Sequence, residues 1–356
     1  MTSYKIHPAV AEAVRGFSCP ASLGFGAVTA PVMYSVEYRN GAWGQGELLP
    51  YGDIAVPPGC KGLHFAEQIF EGMKAYRFEG KAPTLFRPRD NWARFVRSAE
   101  RMCMVTVPEH LFMDGIEAVT GACAPHIPTA SGQALYLRPF AFGLDPSYTI
   151  KASDNLRFMV IGSPVEAYAT APMRVMIERH DVRAARGGVG VAKTGGNYAA
   201  SLRSSTLAIA GGYHVSLWLD PETRGNIEEL SGMNVFAVID GVLHTPELND
   251  SILPGITRDS LIRLARHRGY KLVERVMNME ALLGDIRDGR CSEVFACGTA
   301  AIVNPIALFG EADGRTVPLP SATPVASELR QALLDIQEGR GSDPFGWIVE
   351  VPPLAL

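Results

Sequence analysis

The sequence predicts a mixed α/β protein of two domains, on three observations. Its 356 residues, set against roughly 150 residues per domain, make about two compact units, each long enough to bury a core. Strand-like and helix-like stretches alternate along the chain instead of falling into one type. Between residues 163 and 173 the run SPVEAYATAPM, rich in Ala, Pro and other small residues, separates two strand-like segments and reads as a linker. The expected layout is a smaller N-terminal α/β domain over 1–162, the linker at 163–173 and a larger C-terminal domain over 174–356. A small-molecule site is expected in the cleft between them.

Composition excludes several function classes. With 47% hydrophobic and 20% charged residues the chain is not disordered, and a formal net charge of −4 leaves no dense basic stripe for nucleic acid. No apolar run reaches the roughly 20 residues that span a bilayer. The opening MTSYKIHPAV does not read as a secretory signal, so a soluble cytoplasmic protein is expected. The six cysteines, Cys19, Cys60, Cys103, Cys123, Cys291 and Cys297, form no C-x-x-C pair and stand at no zinc spacing. Reduced thiols are expected, with neither disulfides nor a structural metal.

Taken in order, YSVEYRNGAW sets β-rich residues around Asn40-Gly41, a two-residue hairpin signal. NWARFVRSAERM spaces Trp92, Phe95, Val96, Ala99 and Met102 at the 3.6-residue period of an amphipathic helix. ALYLRPFAFG, LRFMVIG and VSLWLD are short β-branched and aromatic runs, read as strands. NVFAVIDGVLHTP repeats the hairpin device at Asp240-Gly241. In TRDSLIRLARHRG, Leu261, Leu264 and Ala265 share a helical face, with Thr257 as N-cap and Gly269 as terminator. The last helix opens at Thr323-Pro324, carries Val325, Leu329, Leu333 and Ile336 on one side and closes at Gly339.

Lysine is scarce, and of the seven only Lys193 lies in a long uncharged setting, GGVGVAKTGGNYAASL. A surface lysine normally keeps its ammonium among polar neighbours. One flanked by Gly187, Gly188, Gly190, Gly195 and Gly196 sits where backbone can approach a ligand closely. Three readings compete. The first is an incidental lysine in a glycine-rich surface loop. The second is a phosphate loop of the G-x-x-x-x-G-K-[ST] kind, but Ala192 stands where its second glycine belongs, and RHDVRAARG puts charges where a buried strand should lead in. The third is a Schiff-base lysine, partly desolvated so that its amine is nucleophilic.

A Schiff-base lysine acting through pyridoxal phosphate needs two further parts: a carboxylate at the pyridine nitrogen and a cradle for a phosphate dianion. NIEELSGMNVFAVIDGV supplies Glu228 and Glu229 beside an apolar stretch, otherwise readable as an ordinary solvated acidic pair. LPGITRDS places Gly255 and Ile256 directly before Thr257, where backbone N–H groups and a positive helix end favour an anion. Gly298-Thr299 in FACGTAA follows a strand and offers a second small backbone nest. Each signal is weak alone; together they supply every part that one cofactor requires.

These residues resemble the fold-type IV pyridoxal-phosphate enzymes, and specifically the branched-chain amino acid aminotransferases. The class signature stands here as Glu229-x-Ser231-x-x-Asn234-Val235-Phe236, then Thr245, then Leu253-x-Gly255-Ile256-x-Arg258. The branched-chain pattern adds LHFAEQIFEGMKAYR, LYLRPF, AKTGGNY, LPGITRD and EVFACGTAA, so that the match runs from about residue 30 to the end. The resemblance implies a two-domain fold with pyridoxal 5′-phosphate in the interdomain cleft, a homodimer, and no metal. It implies transfer of the amino group of L-leucine, L-isoleucine or L-valine to 2-oxoglutarate.

Roles follow from the resemblance position by position. Lys193 would carry the cofactor and move the substrate proton, Glu229 would pair with the pyridine nitrogen, and Tyr198 would hydrogen-bond the phenolic oxygen. Arg94, Ile256, Thr257 and Thr299 would hold the phosphate, with Leu253 also against the cofactor. Periodicity does not single out Arg94, since Arg97 and Arg101 share its stripe. Phe70, Tyr136 and Arg138 would line the substrate pocket, and the Thr299-Ala300 turn would take the α-carboxylate.

Rivals of the same fold are a D-amino-acid or (R)-amine transaminase and an aminodeoxychorismate lyase, neither of which implies the Tyr136-x-Arg138 pair together with LHF…FEGMKAYR. Three places depart from the family: Phe65 where tyrosine is usual, Ser231-Gly232 where Gly-Thr is frequent, and Ala301 and Asn304 where animal members carry a redox C-x-x-C. The first two bear on substrate preference, and the third leaves no thiol switch to expect there.

Overall fold

The computed structural model describes residues 3–78, 80–168 and 171–356. Contacts divide the chain into two compact units: Met1–Tyr168 with Ala192–Gly195 and Asp335–Leu356, and Ala169–Val191 with Gly196–Leu334. Each is a mixed α/β body on its own sheet, the class the sequence predicts. The main segment of the first unit ends at Tyr168, inside the stretch 163–173, and two later segments join that unit. The strand Leu156–Val165 runs into that stretch, residues 169 and 170 of it lie outside the described residues, and the next strand opens at Met173. The chain end returns to the first unit because Ile348–Glu350 pairs antiparallel with Thr84–Phe86, and Val351 N–H donates to Pro83 O at 2.8 Å.

Ten strands form the sheet of the first unit. Its centre is the antiparallel pair Ala134–Gly143 and Leu156–Val165, in register from Ala134↔Val165 to Gly143↔Leu156, with Val32–Arg39 on the far side of the second strand. Asn40 and Gly41 take φ of 53° and 81°, the left-handed pair that a tight hairpin needs, so the expected turn forms. Phe95 and Phe112 come from the helices Pro88–Arg101 and Glu109–Cys123 and meet Phe158 of the sheet, with ring centroids 5.5, 5.7 and 5.8 Å apart. Burying each ring contributes about 2 kcal/mol. The helix Pro88–Arg101 is rotated from its expected stripe: Asn91, Arg94, Phe95, Ser98 and Ala99 are buried, whereas Trp92 and Val96 are only partly so. Polar residues occupy the inner face because Arg94 and Ser98 have partners there.

Nine strands form the sheet of the second unit. Met173–Glu178 pairs in parallel with Val215–Leu219 and with Ile302–Gly310, and Cys291–Gly298 links Ile302–Gly310 to Asn234–Ile239 through antiparallel ladders. Central strands covered on both faces are apolar throughout, and Val175, Leu217, Val235 and Phe309 form part of this core. Asp240 and Gly241 again take left-handed φ, 49° and 74°.

The helix Ile256–His267 buries Leu261, Leu264 and Ala265 and stops ahead of Gly269 at φ 84°. Its N-cap is Gly255 rather than Thr257, which already lies inside the first turn. A Cβ on Gly255 would come 2.0 Å from Asn234 Oδ1, so a side chain there would displace the Asn234 amide. The last helix, Pro324–Gln337, starts at the expected proline and buries Leu329, Leu333 and Ile336, with Val325 partly exposed. Glu293 caps it, accepting from Val325 N and Ala326 N at 2.9 Å each. No helix among the described residues is long and apolar enough to cross a membrane.

Candidate active site

In the first unit, Lys193 is fixed by its main chain. Its carbonyl accepts from Phe70 N at 2.9 Å, and its N–H donates to Ser98 Oγ at 3.0 Å. Thr194 bridges to Ile69, and its Oγ1 donates to Gln68 O at 2.7 Å. The Lys193 side chain is half-buried, with Nζ 4.9 Å from the Phe70 ring centroid, a cation–π contact. Two of the flanking glycines stand in close packing. A Cβ on Gly190 would come 2.6 Å from Ser251 Cα and O, and one on Gly195 would come 2.0 Å from Gln68 Nε2.

Gly190→Ala therefore forces backbone against backbone, and it is expected to lower stability by about 1–3 kcal/mol. The check is the thermal unfolding midpoint against Gly196→Ala, where a Cβ meets nothing within 4 Å. Equal midpoints would remove this account of the loop.

Phe70 also underlies Arg138. The guanidinium carbon lies 4.6 Å from the Phe70 centroid and 5.3 Å from that of Tyr136, and Nη2 donates to Tyr136 Oη at 2.9 Å. Alternation along the strand Ala134–Gly143 puts Tyr136 and Arg138 on one face. Arg138 Nε is buried with no hydrogen-bond partner among the described residues, an orphaned donor beside two aromatic faces. Arg94 is buried and bidentate on Glu71, with Nε–Oε1 at 2.7 Å and Nη2–Oε2 at 2.8 Å. Arg97 and Arg101 are exposed, so burial separates Arg94 from the stripe that periodicity could not divide. Glu71, wholly buried, neutralises the guanidinium and was not anticipated from the sequence.

In the second unit the strand Ile227–Leu230 is buried along its length, which overturns the solvated-pair reading of Glu228 and Glu229. Arg183 Nε lies 2.7 Å from Glu229 Oε1, an ion pair and not an aligned hydrogen bond. Arg183 Nη2 donates to Ser251 O and, at 3.3 Å, to Gly190 O. Asn234 Nδ2 donates to Glu229 Oε2 at 3.2 Å and to Leu253 O at 3.1 Å. Asn234 thus ties the carboxylate to the Leu253–Gly255 turn that opens the helix Ile256–His267. Gly255, as the N-cap, has no side chain to cap the helix, and the N–H groups of the first turn, at Ile256 and Thr257, stand at its positive end. Arg183 lay hidden in a run of charges, and Asn234 stood in the signature without a role.

Thr299 and Ala300 occupy the turn between Cys291–Gly298 and Ile302–Gly310. Ile302 closes it at φ 63°, a left-handed conformation that costs a β-branched residue about 1–3 kcal/mol. Gly298 brings this turn against the Ser231-Gly232 turn, its Cβ position lying 3.4 Å from Gly232 O. Gly232 has φ 79°, which favours glycine over a family threonine, and Ser231 Oγ accepts from Trp218 Nε1 at 2.9 Å.

Tyr198 is half-buried near the start of the helix Gly195–Ala210, and its carbonyl accepts from Ser201 Oγ at 2.8 Å. Phe65, in the first unit, is exposed with its ring 4.4 Å from that of His64. Burial pushes the Cys297 thiol up to about 12, with Arg258 opposing and Glu229 adding, so this thiol is no nucleophile at neutral pH. The clusters therefore gather Lys193, Phe70, Tyr136, Arg138 and Arg94 in one unit, and Tyr198, Glu229, Leu253, Ile256, Thr257, Thr299 and Ala300 fall in the other.

Residues 68–309 match the family model for amino-transferase class IV. Over 341 residues the chain is 39% identical to the probable branched-chain-amino-acid aminotransferase of Staphylococcus aureus (strain N315), covering 93% of this chain and 94% of that one. It is 38% identical over 341 residues to branched-chain-amino-acid transaminase 1 of Bacillus subtilis (strain 168), covering 93% and 95%. Among solved structures it is similar to the T.th. branched-chain amino acid aminotransferase with pyridoxamine 5′-phosphate, with TM-score 0.73, 29% identity and coverage of 91% and 99%. The Escherichia coli branched-chain amino acid aminotransferase gives TM-score 0.69 at 28% identity, covering 90% and 99%. With the family model spanning most of the chain and relatives matching nearly end to end, the chain belongs to the class IV aminotransferases, within the branched-chain-amino-acid aminotransferase group.

Proposed function

We propose that the chain transfers the amino group of L-leucine, L-isoleucine or L-valine to 2-oxoglutarate, giving the branched-chain 2-oxo acid and L-glutamate. The observation that carries this reading is the network Arg183–Glu229–Asn234–Leu253. One hydrogen-bonded frame holds a buried carboxylate, suited to a ring nitrogen, and the positive start of a helix, suited to a phosphate. Pyridoxal 5′-phosphate fits that donor set, and when bound it supplies an electron sink that acidifies the substrate Cα–H.

The chain's own groups do the rest. The Lys193 amine takes the Cα proton and returns it, held in place by main-chain bonds to Phe70 and Ser98. Glu229 keeps a proton at the ring nitrogen, its charge secured by Arg183. Tyr198 is assigned to the phenolic oxygen, Leu253 to a contact with the ring, and Arg94, Ile256, Thr257 and Thr299 to the phosphate. The N–H groups of the Thr299-Ala300 turn are assigned to the α-carboxylate. Phe70 and Tyr136 offer aromatic faces to an apolar side chain, and Arg138 between them offers its unmatched Nε–H to the second carboxylate of 2-oxoglutarate.

We infer a cytoplasmic homodimer as the working form. The exposed Leu63, Phe65, Tyr148 and Ile150 around His64 support self-association through this face. Six cysteines without paired spacing support a reducing compartment.

One experiment tests the chemistry. Protein loaded with pyridoxal phosphate should convert to the pyridoxamine form with L-leucine and revert with 2-oxoglutarate, while D-alanine and an (R)-amine leave the spectrum unchanged. Conversion by the last two alone would favour a D-amino-acid or (R)-amine transaminase. The same preparation should elute at twice the chain mass, and elution as a single chain would remove the dimer.

A further inference from the structure

Glu228, next to Glu229 on the strand Ile227–Leu230, has no part in the reaction described, yet it is 3% exposed. Its Oε1 is hydrogen-bonded to the Oγ of Ser251, which is wholly buried. Ser251 Oγ also lies 2.7 Å from Asn249 Oδ1. That Asn249 atom is the oxygen of its amide, because it accepts from Ser251 N at 2.9 Å and from Ile252 N at 3.1 Å.

A serine hydroxyl carries one hydrogen. If that hydrogen goes to an ionised Glu228, two acceptors, Ser251 Oγ and Asn249 Oδ1, are left facing one another with nothing between them. If it goes to Asn249, the Glu228–Ser251 contact must take its hydrogen from Glu228. Asn249 Oδ1 is satisfied by the Ser251 and Ile252 N–H groups in either case, but only the second arrangement puts a hydrogen into the 2.7 Å contact between the two oxygens: Glu228 O–H to Ser251 Oγ, and Ser251 O–H to Asn249 Oδ1.

We propose that Glu228 is held as a neutral carboxylic acid donating to Ser251, and that it acts as a positioning residue by leaving the charge of Arg183 to Glu229 alone. An ionised Glu228 would put a second anion beside the Arg183–Glu229 pair and compete for its guanidinium. The surroundings support the neutral form. Burial raises the proton affinity of Glu228 above the usual carboxylate range. Hydrogen bonding from Ser251, the charge of Arg183 and the Asn249 contact oppose this, while Asp220 adds to it. Asp220 is itself held ionised, against its own burial, by Thr223 Oγ1 and the N–H groups of Glu222, Thr223 and Asn226. The importance of sparing Arg183 rests on the reading of Glu229 as the partner of the pyridine nitrogen; the protonation of Glu228 does not.

The test is Glu228→Gln, which keeps a neutral side chain with an N–H donor for Ser251. A carboxyl that binds its proton more tightly when folded costs stability as pH rises above its unfolded value of about 4.3. Glutamine carries no such cost. The midpoint of Glu228→Gln should therefore exceed that of the parent protein by a margin that widens from pH 5 upward. A margin that is flat, or that reverses as pH rises, overturns the proposal.

A second readout needs no variant. With ¹³C-glutamate labelling, the parent protein at neutral pH should show the isotope-shifted carbonyl stretch of a protonated carboxylic acid, and its absence would equally overturn the assignment. Both measurements are made with and without pyridoxal phosphate. If the role of Glu229 is what fails, Glu229→Gln will leave turnover unchanged while the Glu228 signals persist.

Discussion

Lys193→Ala is expected to abolish transamination while the protein stays folded. The two clamps on this segment, Phe70 N to Lys193 O and Lys193 N to Ser98 Oγ, are main-chain bonds of the lysine and survive removal of its side chain. What is lost is the half-buried amine 4.9 Å from the Phe70 ring. General acid–base catalysis by a placed side chain contributes about 10²–10⁴ in rate, and loss of the proposed covalent link to the cofactor adds to that. The expected fall in kcat is therefore at least about 10⁴-fold. The borohydride-sensitive visible absorbance of the loaded protein should disappear in the same variant. Lys193→Arg is the companion, since a guanidinium keeps the charge and the cation–π partner but neither forms an imine nor gives up a proton near neutral pH. Recovery of activity in arginine would mean that position 193 supplies only charge, and full activity in alanine would remove Lys193 from the chemistry.

What the sequence reveals about this chain divides along a physical line. Features set by a residue's own dihedral preference or by short-range period are legible: the Asn40-Gly41 and Asp240-Gly241 hairpins, the glycine that ends the helix Ile256–His267, and the proline that starts the last helix. Lys193 stands out for a similar reason, because glycines and missing charge are local signals.

Features set by a distant partner are not legible. Arg94 is distinguished from Arg97 only by Glu71, 23 positions earlier, and the helix turns its polar side inward to meet it. Arg183 looks like one more surface charge until the chain folds it onto Glu229. Gly255 rather than Thr257 stands at its helix cap, where a Cβ would press on the Asn234 amide contributed from the strand Asn234–Ile239. The return of Ile348–Glu350 to the first sheet depends likewise on a strand far upstream, so composition alone gave no sign that the chain end leaves the second unit. The family signature nominates residues such as Glu229 and Leu253, which the fold joins through Asn234, because it stores the outcome of such long-range contacts.

Glu229→Gln should separate two roles of one carboxylate. The substitution removes the anion proposed to keep a proton at the ring nitrogen, and losing a single preorganised electrostatic partner of a reacting group costs about 10²–10³ in kcat. It also strands Arg183, which is 9% exposed and pairs with Glu229 at 2.7 Å. Breaking a buried ion pair from one side destabilises by about 3–5 kcal/mol, because the remaining charge is left unmatched. Turnover must therefore be expressed per bound cofactor, and the thermal midpoint measured alongside. Adding Arg183→Met to Glu229→Gln removes the stranded charge, so stability should recover in part while turnover does not. Recovery stays partial because Arg183 also donates to Ser251 O and Gly190 O, and those two carbonyls lose a partner. If turnover per cofactor in Glu229→Gln matched the parent protein, the carboxylate would be structural only. If the double variant restored turnover along with stability, the kinetic loss would belong to the stranded arginine instead.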